Sequence, residues 1–189
     1  MNVYDFDGTI YKKDSTVQFY LFCLRKKPLL IRYIFVQMWY FFMYVLSLVD
    51  KKRFKQGFFS FLKGIKDVDM LVDEFWESNT KHINTWYLDQ KKQTDVIISA
   101  SPEFLLLPIS KALGVGKLIA SKVDKNTGTF LSENCYGEEK VKRFLDECSD
   151  EVIDSFYSDS LSDFPLAKMS RSAYFVKDDE PIAWNEYKA

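Results

Sequence analysis

The sequence predicts an α/β fold in which a parallel sheet is interrupted by a long helical insertion. Short apolar runs rich in β-branched residues alternate with helical segments from residue 93 onwards, and a first run of this kind lies at residues 2–6. Between them, residues 14–92 are rich in aromatic residues, nearly free of Gly and Pro, and without strand signals. We therefore predict an α/β core domain formed by residues 1–13 plus 93–189, and a helical cap domain at 14–92.

Each element is assigned from its local pattern. The first strand covers residues 2–6. Asp14-Ser15-Thr16 is typical of a helix N-cap, and Pro28 suits the first position of a second helix. In the core the patterns predict, in order, a strand at 95–99, a helix at 102–113 closed by Gly114, a strand at 118–121, a turn at 125–129, a helix at 138–148, a strand at 151–157, a helix at 163–169 and a strand at 173–176.

Composition excludes several classes of function. The net charge of −1 over 189 residues does not favour a nucleic-acid partner. His82 is the only histidine, which removes Ser–His and Cys–His catalysis and argues against a zinc site. The three cysteines are widely spaced and form no Cys-x-x-Cys pair, and no signal-peptide pattern opens the sequence. We therefore expect a cytoplasmic protein whose chemistry uses Asp, Glu, Lys, Ser and Thr.

Chemistry-bearing residues follow the predicted strands. In an open parallel sheet, functional residues gather at the carboxyl ends of the strands. The residues at these ends are Asp5-Phe6-Asp7 after the first strand, Ser99-Ala100-Ser101 after the second, Lys140 at the start of the helix after the third, and Asp159 with Asp163 after the fourth. Alternation along an extended strand places Asp5 and Asp7 on one side and turns Phe6 into the core.

This set of side chains favours phosphoryl transfer. Clustered carboxylates stay ionised together only beside a cation, and an all-oxygen set selects Mg²⁺. One carboxylate can attack phosphorus, a second can move protons, and lysine and hydroxyl donors can hold the phosphoryl oxygens. Each feature alone has a simpler interpretation: Asp7-Gly8 as a turn, Ser99 as an ordinary strand-end serine, Lys140 as a solvated helix lysine, Asp159 and Asp163 as helix-capping acids. The prediction depends on their joint occurrence in this order. An EF-hand is excluded because Gly8 falls at the fourth position of the loop.

Taken together, these motifs resemble the haloacid dehalogenase (HAD) superfamily, in the branch that includes phosphoserine phosphatase. The matching motifs are Asp5-Phe6-Asp7-Gly8-Thr9, Ile97-Ile98-Ser99-Ala100-Ser101, Lys140, and Tyr157-Ser158-Asp159-Ser160-Leu161-Ser162-Asp163. The resemblance covers residues 1–13 and about 93–177, and it implies a Rossmann-like parallel core. The cap matches only in placement and helical character. Ser158 departs from the pattern, since the family usually has Gly at this position.

The resemblance implies a role for each matching residue. Asp5 would be the nucleophile and a ligand of Mg²⁺. Asp7 would be the general acid and base, with its carbonyl on the metal. The phosphate or the substrate would be bound by Thr9, Ser99, Ala100, Lys140 and Ser162. Asp159 would ligate the metal, and Asp163 would support the metal shell. Asp14 stands where phosphoserine phosphatases carry an acid that reaches the substrate amine, and a capping role for it stays open.

The cap combines basic flanks with an uncharged centre. Residues 25–66 contain ten Lys or Arg against the single acid Asp50, so this segment carries +9 and leaves −10 for the rest of the chain. Residues 33–49 are uncharged, and their polar-capable side chains recur every three or four positions as one helical stripe: Tyr33, Gln37, Tyr40, Tyr44 and Ser47.

Three interpretations of this helix compete. In the first, the helix packs its apolar faces within the cap. In the second, it lies at an anionic membrane surface through residues 25–66. In the third, it spans a membrane. Spanning is disfavoured because the uncharged run is short and both flanks are basic. A cap in this family sets substrate choice, so the composition favours a lipid-linked or other amphiphilic phosphomonoester. The alternatives are a phosphatase for a small soluble metabolite, a phosphomutase with the same nucleophile, and a non-catalytic binding module.

Overall fold

A computed structural model describes residues 1–149 and 151–186, and the predicted end of the core domain at 187–189 lies outside the described residues. Its sheet has six strands in the order β3-β2-β1-β4-β5-β6. The first five are parallel and β6 is antiparallel to β5. The predicted α/β fold is therefore confirmed. The strands are β1 Asn2–Tyr4, β2 Val96–Pro102, β3 Lys117–Ser121, β4 Ser155–Ser158, β5 Ser172–Lys177 and β6 Glu180–Ala183.

Strand β6 was not predicted from the sequence. It pairs with β5 through a two-residue loop, with Lys177 opposite Glu180. Both loop residues, Asp178 and Asp179, have positive φ values, 52° and 66°. This geometry is that of the tight hairpin turn that usually contains Asn-Gly or Asp-Gly, so an Asp-Asp pair carries little signal for it.

Both faces of the sheet are covered, which explains why β1 and β2 are continuous apolar runs. Consecutive side chains enter opposite layers. Tyr4 and Ile97 pack in the core cluster that is shared with the cap, whereas Val3, Val96 and Ile98 pack in the cluster on the other face. The sheet is thereby fixed between the cap side and the helices of the core.

The chain between β1 and β2 is helical, as predicted, and inserts five α-helices together with short 3-10 turns. These helices are α1 Ser15–Lys26, α2 Ile34–Val45, α3 Lys51–Phe58, α4 Val68–Asn79 and α5 Thr85–Gln90. The core contributes α6 Glu103–Leu113, α7 Glu138–Glu147 and α8 Phe164–Ala167. The exact domain limits at 13/14 and 92/93 stay a prediction.

Local signals set the helix ends. The Asp14 carboxylate accepts a hydrogen bond from the Val17 amide, so it is the predicted cap of α1. Gly114, in the left-handed region with φ 70°, closes α6 as expected. Pro28 opens a 3-10 segment, Pro28–Tyr33, that leads directly into α2.

Helix α2 does not bury its apolar faces within the cap, so that interpretation was wrong. Phe35 is 76% exposed, and Met38 and Trp39 are each 61% exposed. The stretch Pro28–Val45 has 18 residues, a mean hydropathy of 1.3 and only 11% of its residues buried. Within the described residues it is the one helical stretch whose length and composition would suffice to cross a membrane.

Candidate active site

The predicted nucleophile, Asp5, lies directly after β1 at the centre of the sheet, where β1 is flanked by β2 and β4. Its side chain is nearly buried, and its Oδ1 accepts a hydrogen bond from the Phe6 amide at 2.8 Å. Burial raises the pKa of Asp5 to about 8, although the Lys140 ammonium, 3.0 Å from Oδ1, acts to lower it. A buried carboxylate of this kind needs further positive charge to be ionised at neutral pH.

Lys140 is a buried cation that joins two acids. It is 2% exposed, and its Nζ lies 3.0 Å from Asp5 Oδ1 and 2.7 Å from Asp163 Oδ2. Burial alone would lower the pKa of Lys140, but the two carboxylates outweigh it and raise that pKa above its usual value. The Ser158 hydroxyl also donates to Asp163 Oδ2, at 2.7 Å. The serine that departs from the family pattern therefore helps to fix the acid that positions Lys140.

The second motif acid, Asp7, is held by donors on both oxygens. The Ser15 amide donates to Oδ1 at 2.7 Å, and the Ser101 hydroxyl donates to Oδ2. Burial and the nearby Asp14 raise the pKa of Asp7 to about 6, while the bonds from Ser101 and Ser15 oppose this shift. The Phe6 ring between the two acids is fully buried, as strand alternation predicted.

Ser101 is a site residue that the sequence reasoning missed. It was read as part of the strand-end motif, and no role was given to its side chain. Its hydroxyl lies 2.9 Å from Thr16 Oγ1, besides its bond to Asp7. Ser101 thus links Asp7 to the first turn of the cap helix α1, and the Ser-x-Ser repeat at 99–101 was the signal that could have indicated it.

These residues surround one pocket of about 690 Å³, a size typical of small-molecule sites. Most of the predicted site residues line it, and they come from the ends of three strands, from α7 and from the start of the cap: Asp5, Asp7, Asp14, Ser99, Ala100, Lys140, Asp159, Ser162 and Asp163. Asp14 lines the pocket while its Oδ1 caps α1.

Thr9 is placed differently from its expected role. It is fully buried and is not among the residues that line the pocket. Its Oγ1 accepts a hydrogen bond from the Asp159 amide at 3.0 Å, and its carbonyl accepts one from the Asn84 side chain at 2.7 Å. In this structure the Thr9 hydroxyl holds the amide of Asp159, and Thr9 does not line the pocket with the other predicted site residues.

The carboxylates of the pocket suit Mg²⁺. Among residues 1–149 and 151–186, no three acidic, histidine or cysteine side chains form a ready-made metal-binding group. Mg²⁺ does not require one, because it keeps several waters and is usually held by one or two carboxylates plus substrate phosphate. Asp5 and Asp159 line the same pocket, and the Asp163 Oδ1 atom is buried without a hydrogen-bond partner. The donor set therefore fits a hydrated Mg²⁺ held by Asp5, Asp159 and the Asp7 carbonyl, with Asp163 behind them.

The cap contributes cations that the sequence analysis did not assign to the site. Lys55 on α3 reaches across to the core, where its Nζ donates to Asn134 Oδ1 at 3.2 Å and to the Ala100 carbonyl at 3.4 Å. Burial, helped by Lys51, lowers the pKa of Lys55 to about 8. Lys51 itself lies over the Tyr136 ring, 3.3 Å from its centroid. Only the folded position of α3 brings these side chains to the pocket.

Comparison with known proteins shows the family of the chain and supports its fold. A family model described as haloacid dehalogenase-like hydrolase matches residues 3–168. A protein of unknown function from Bordetella pertussis Tohama I aligns with a TM-score of 0.71 at 20% identity, over 89% of this chain and 85% of that chain. A comparison of the sequence with curated proteins finds no match.

Two further structures extend the likeness to phosphatases. A phosphoserine phosphohydrolase-like protein from Francisella tularensis subsp. tularensis SCHU S4 has a TM-score of 0.54 at 17% identity, over 93% and 87% of the two chains. A phosphoserine phosphatase solved as a phospho-aspartyl intermediate analogue has a TM-score of 0.54 at 13% identity, over 92% and 84%. At these low identities the likeness establishes the fold alone.

Proposed function

Because the chain belongs to the haloacid dehalogenase-like hydrolases, we propose that it is a Mg²⁺-dependent phosphomonoester phosphatase that works through an aspartyl-phosphate on Asp5. One observation carries the proposal. The buried Asp5 carboxylate is held 3.0 Å from Lys140, and the separately anchored Asp7 lines the same pocket. Two acids with different environments suit two different roles in catalysis.

The proposed reaction has two displacements. In the first, an Asp5 oxygen attacks phosphorus, the ester P–O bond breaks, and Asp7 gives its proton to the leaving oxygen. In the second, Asp7 takes a proton from water, the water oxygen attacks phosphorus, and the bond to Asp5 breaks to release inorganic phosphate. Lys140 and the Ser99 hydroxyl would hold the phosphoryl oxygens. When bound, Mg²⁺ would supply positive charge to the phosphoryl group and to Asp5.

The charge of the pocket supports a phosphomonoester. Its lining includes five aspartates and five lysines: Asp5, Asp7, Asp14, Asp159, Asp163, Lys12, Lys13, Lys51, Lys55 and Lys140. With all of these ionised their charges cancel, and one divalent cation brings the site to +2. A phosphomonoester carries roughly −1.5 to −2 at neutral pH, so the cation and the substrate complement the site together.

We propose further that the substrate is an amphiphilic phosphomonoester, such as one linked to a lipid. The pocket wall on the cap side is aromatic, formed by Phe54, Phe58 and Phe59. Such a substrate resides at a membrane, so this proposal also includes peripheral contact of residues 25–66 with an anionic bilayer. The competing substrate is a small phosphorylated amine. Asp14 favours it by lining the pocket, although its Oδ1 atom is already used in capping α1.

Replacing the nucleophile tests the mechanism. Asp5→Asn is expected to lower Mg²⁺-dependent hydrolysis of a generic aryl phosphate by roughly a thousandfold or more, because the amide does not attack phosphorus. The matched control is Asp146→Asn, an exposed aspartate on α7, which should leave the rate unchanged. Unchanged turnover in the Asp5 variant would refute the mechanism.

A panel of lipid and soluble phosphomonoesters, assayed with the same two variants, tests the substrate. A higher kcat/KM for the lipid esters supports the amphiphilic substrate. A large preference for small soluble esters would reject it while leaving the phosphatase intact. Dependence on a bisphosphate activator, with little release of phosphate, would indicate a mutase.

A further inference from the structure

Helix α2 is built with its apolar side outward. Exposed side chains on one face of the helix form an apolar ridge, which we define as Phe35, Met38, Trp39, Phe42 and Val45, continued by Leu46 and Leu48. Each of these seven is at least half exposed, from 50% for Leu46 to 76% for Phe35. Their spacing of three and four positions places the helical members on one face. An exposed apolar surface of this extent on a soluble protein usually marks an interaction site.

The opposite side of α2 is polar-capable and faces the protein. Gln37 is 7% exposed, accepts a hydrogen bond from the Tyr20 hydroxyl at 2.8 Å, and donates to the Phe58 carbonyl at 3.0 Å. The Tyr40 ring packs on Gly57, and the Tyr33 ring lies beside Gly64. Tyr33, Gln37 and Tyr40 of the stripe found in the sequence therefore face the protein, whereas Ser47 is exposed and lies beyond the end of α2. The buried hydrogen bonds of Gln37 fix the rotation of α2, because turning the ridge inward would break them.

Basic residues lie at both ends of this ridge. Arg25, Lys26 and Lys27 come just before the helical stretch, Arg32 lies within its first turns, and α3 begins with Lys51, Lys52 and Arg53. Of the ten basic residues between positions 25 and 66, only Lys26 and Lys52 form ion pairs within the described part of the chain. A strip of exposed aromatic and aliphatic side chains between cationic ends is complementary to an anionic lipid–water interface.

We propose that the apolar ridge docks the cap onto the surface of an anionic lipid bilayer, with α2 parallel to the membrane plane. In this pose the ridge enters the headgroup region, and the basic residues that neither line the pocket nor form ion pairs, such as Arg25, Lys27 and Arg53, contact lipid phosphates. The inner face keeps its hydrogen bonds to the cap, so docking requires no refolding.

Two other roles for the ridge are a contact with a second copy of this chain and a position within the membrane as a spanning helix. The charge of the cap argues against the first, and the buried hydrogen bonds of Gln37 argue against the second. A second copy of this chain would bring two segments of +9 into contact, and the like charges would repel. A membrane-spanning position would pull α2 away from α1 and α3 and leave Gln37 in hydrocarbon without its two partners. Surface docking keeps both the hydrogen bonds and the charge complementarity.

Helix α2 contacts the wall of the pocket through α3. The Phe54 ring stacks on Tyr44 at 5.0 Å between centroids and lies 6.2 Å from Phe41, and Phe54 also lines the pocket. On the basis of the proposed function, docking through α2 would hold this pocket close to a membrane that contains its substrate. The docking itself does not depend on catalysis.

Vesicle flotation without substrate tests the docking. The wild-type chain is expected to bind vesicles of phosphatidylcholine with 30% phosphatidylglycerol at least about tenfold more tightly than pure phosphatidylcholine, and 0.5 M salt should weaken the binding. Phe35→Asp with Trp39→Asp should lower the affinity at least about tenfold. The matched control is Leu145→Asp with Val152→Asp, two exposed apolar residues away from the ridge, which should bind like wild type.

Hydrolysis of a small aryl phosphate is measured on the same proteins. The ridge variants should keep the wild-type rate, which shows that they are folded and separates docking from catalysis. Wild-type protein that stays off anionic vesicles, or ridge variants that bind as well as wild type, would overturn the proposal. If the wild-type protein does not bind vesicles but forms a dimer that the ridge substitutions dissociate, the ridge is a contact between two copies of this chain. Quenching of Trp39 fluorescence can be compared for lipids brominated near the bilayer centre and lipids brominated near the headgroups. Stronger quenching by the bromines at the bilayer centre would show that α2 spans the membrane.

Discussion

At the scale of single residues, Gly8 determines where the acid Asp159 can lie. It has a φ of 68°, and a Cβ at this position would be only 2.0 Å from Asp159 Oδ2. The main chain therefore needs glycine for two reasons, the left-handed conformation and the close approach of the Asp159 carboxylate. The Thr9 hydroxyl then holds the Asp159 amide from below. Two neighbouring residues of the first motif thus position an acid that follows 150 residues later.

Gly8→Ala separates these two reasons when it is compared with Gly114→Ala. Both glycines have nearly the same φ, 68° and 70°, but nothing lies within 4 Å of a Cβ at Gly114. Both variants should lose roughly 1–2 kcal/mol of stability from backbone strain. Only Gly8→Ala should also weaken Mg²⁺ affinity, by roughly 10–100-fold, because it displaces Asp159. Titration of activity with Mg²⁺ measures this, and equal Mg²⁺ affinities in the two variants would contradict it.

At the scale of secondary structure elements, the contact between α2 and α3 keeps the apolar ridge outside. A Cβ at Gly57 of α3 would be 2.3 Å from the Tyr40 ring of α2, so the two helices approach as closely as this glycine permits. Tyr44 and Phe54 stack in the next turn. The close packing of the inner face, together with the bonds of Gln37, orients the whole helix.

Gly57→Ala is expected to destabilise the protein by about 1–3 kcal/mol, since the added methyl group overpacks this contact. Urea unfolding measures the change. In a Tyr40→Ala background the same substitution should cost much less, because the ring that it would strike is absent. An equal cost in both backgrounds would show that the contact between α2 and α3 is not the cause.

At the scale of the whole molecule, the distribution of charge matters more than the net value of −1. The cap segment at 25–66 is strongly basic, and the acids of the core gather at the carboxyl end of the sheet. Burial raises the pKa values of Asp5, Asp7 and Asp159, and neighbouring carboxylates add to the effect for all three. This concentration of acids destabilises the ionised site, and a bound cation would relieve it.

Mg²⁺ is therefore expected to stabilise the fold. At 100 times its dissociation constant, a ligand of the folded state alone adds about 2.7 kcal/mol. Thermal unfolding should show a higher Tm with added Mg²⁺, reversed by a chelator. Asp159→Asn should greatly reduce the shift, whereas Asp146→Asn should keep it. A shift of equal size in both variants would place the bound cation elsewhere.

Much of the site could be predicted from the sequence because its residues are ordered by the sheet. Strand ends in a parallel sheet converge, so Asp5, Ser99 and Asp159 were assigned to one place without coordinates. The partners that hold them were not. Ser101 and Ser158 act through single hydroxyl groups, and the sequence does not show which acids those hydroxyl groups contact. Lys55 reaches the pocket only through the position of α3 against the core.

The sequence by itself determined the α/β class, the helical insertion and the acids of the candidate site, because apolar periodicity and motif order are properties of the chain. The tertiary structure decided the direction of α2. Its composition was compatible with a buried helix, since both faces contain aromatic side chains. Only the partners of Gln37 and the close approach of Gly57 to Tyr40 show which face is satisfied internally. Those contacts turn Gln37 and Tyr40 inward and leave the apolar ridge exposed.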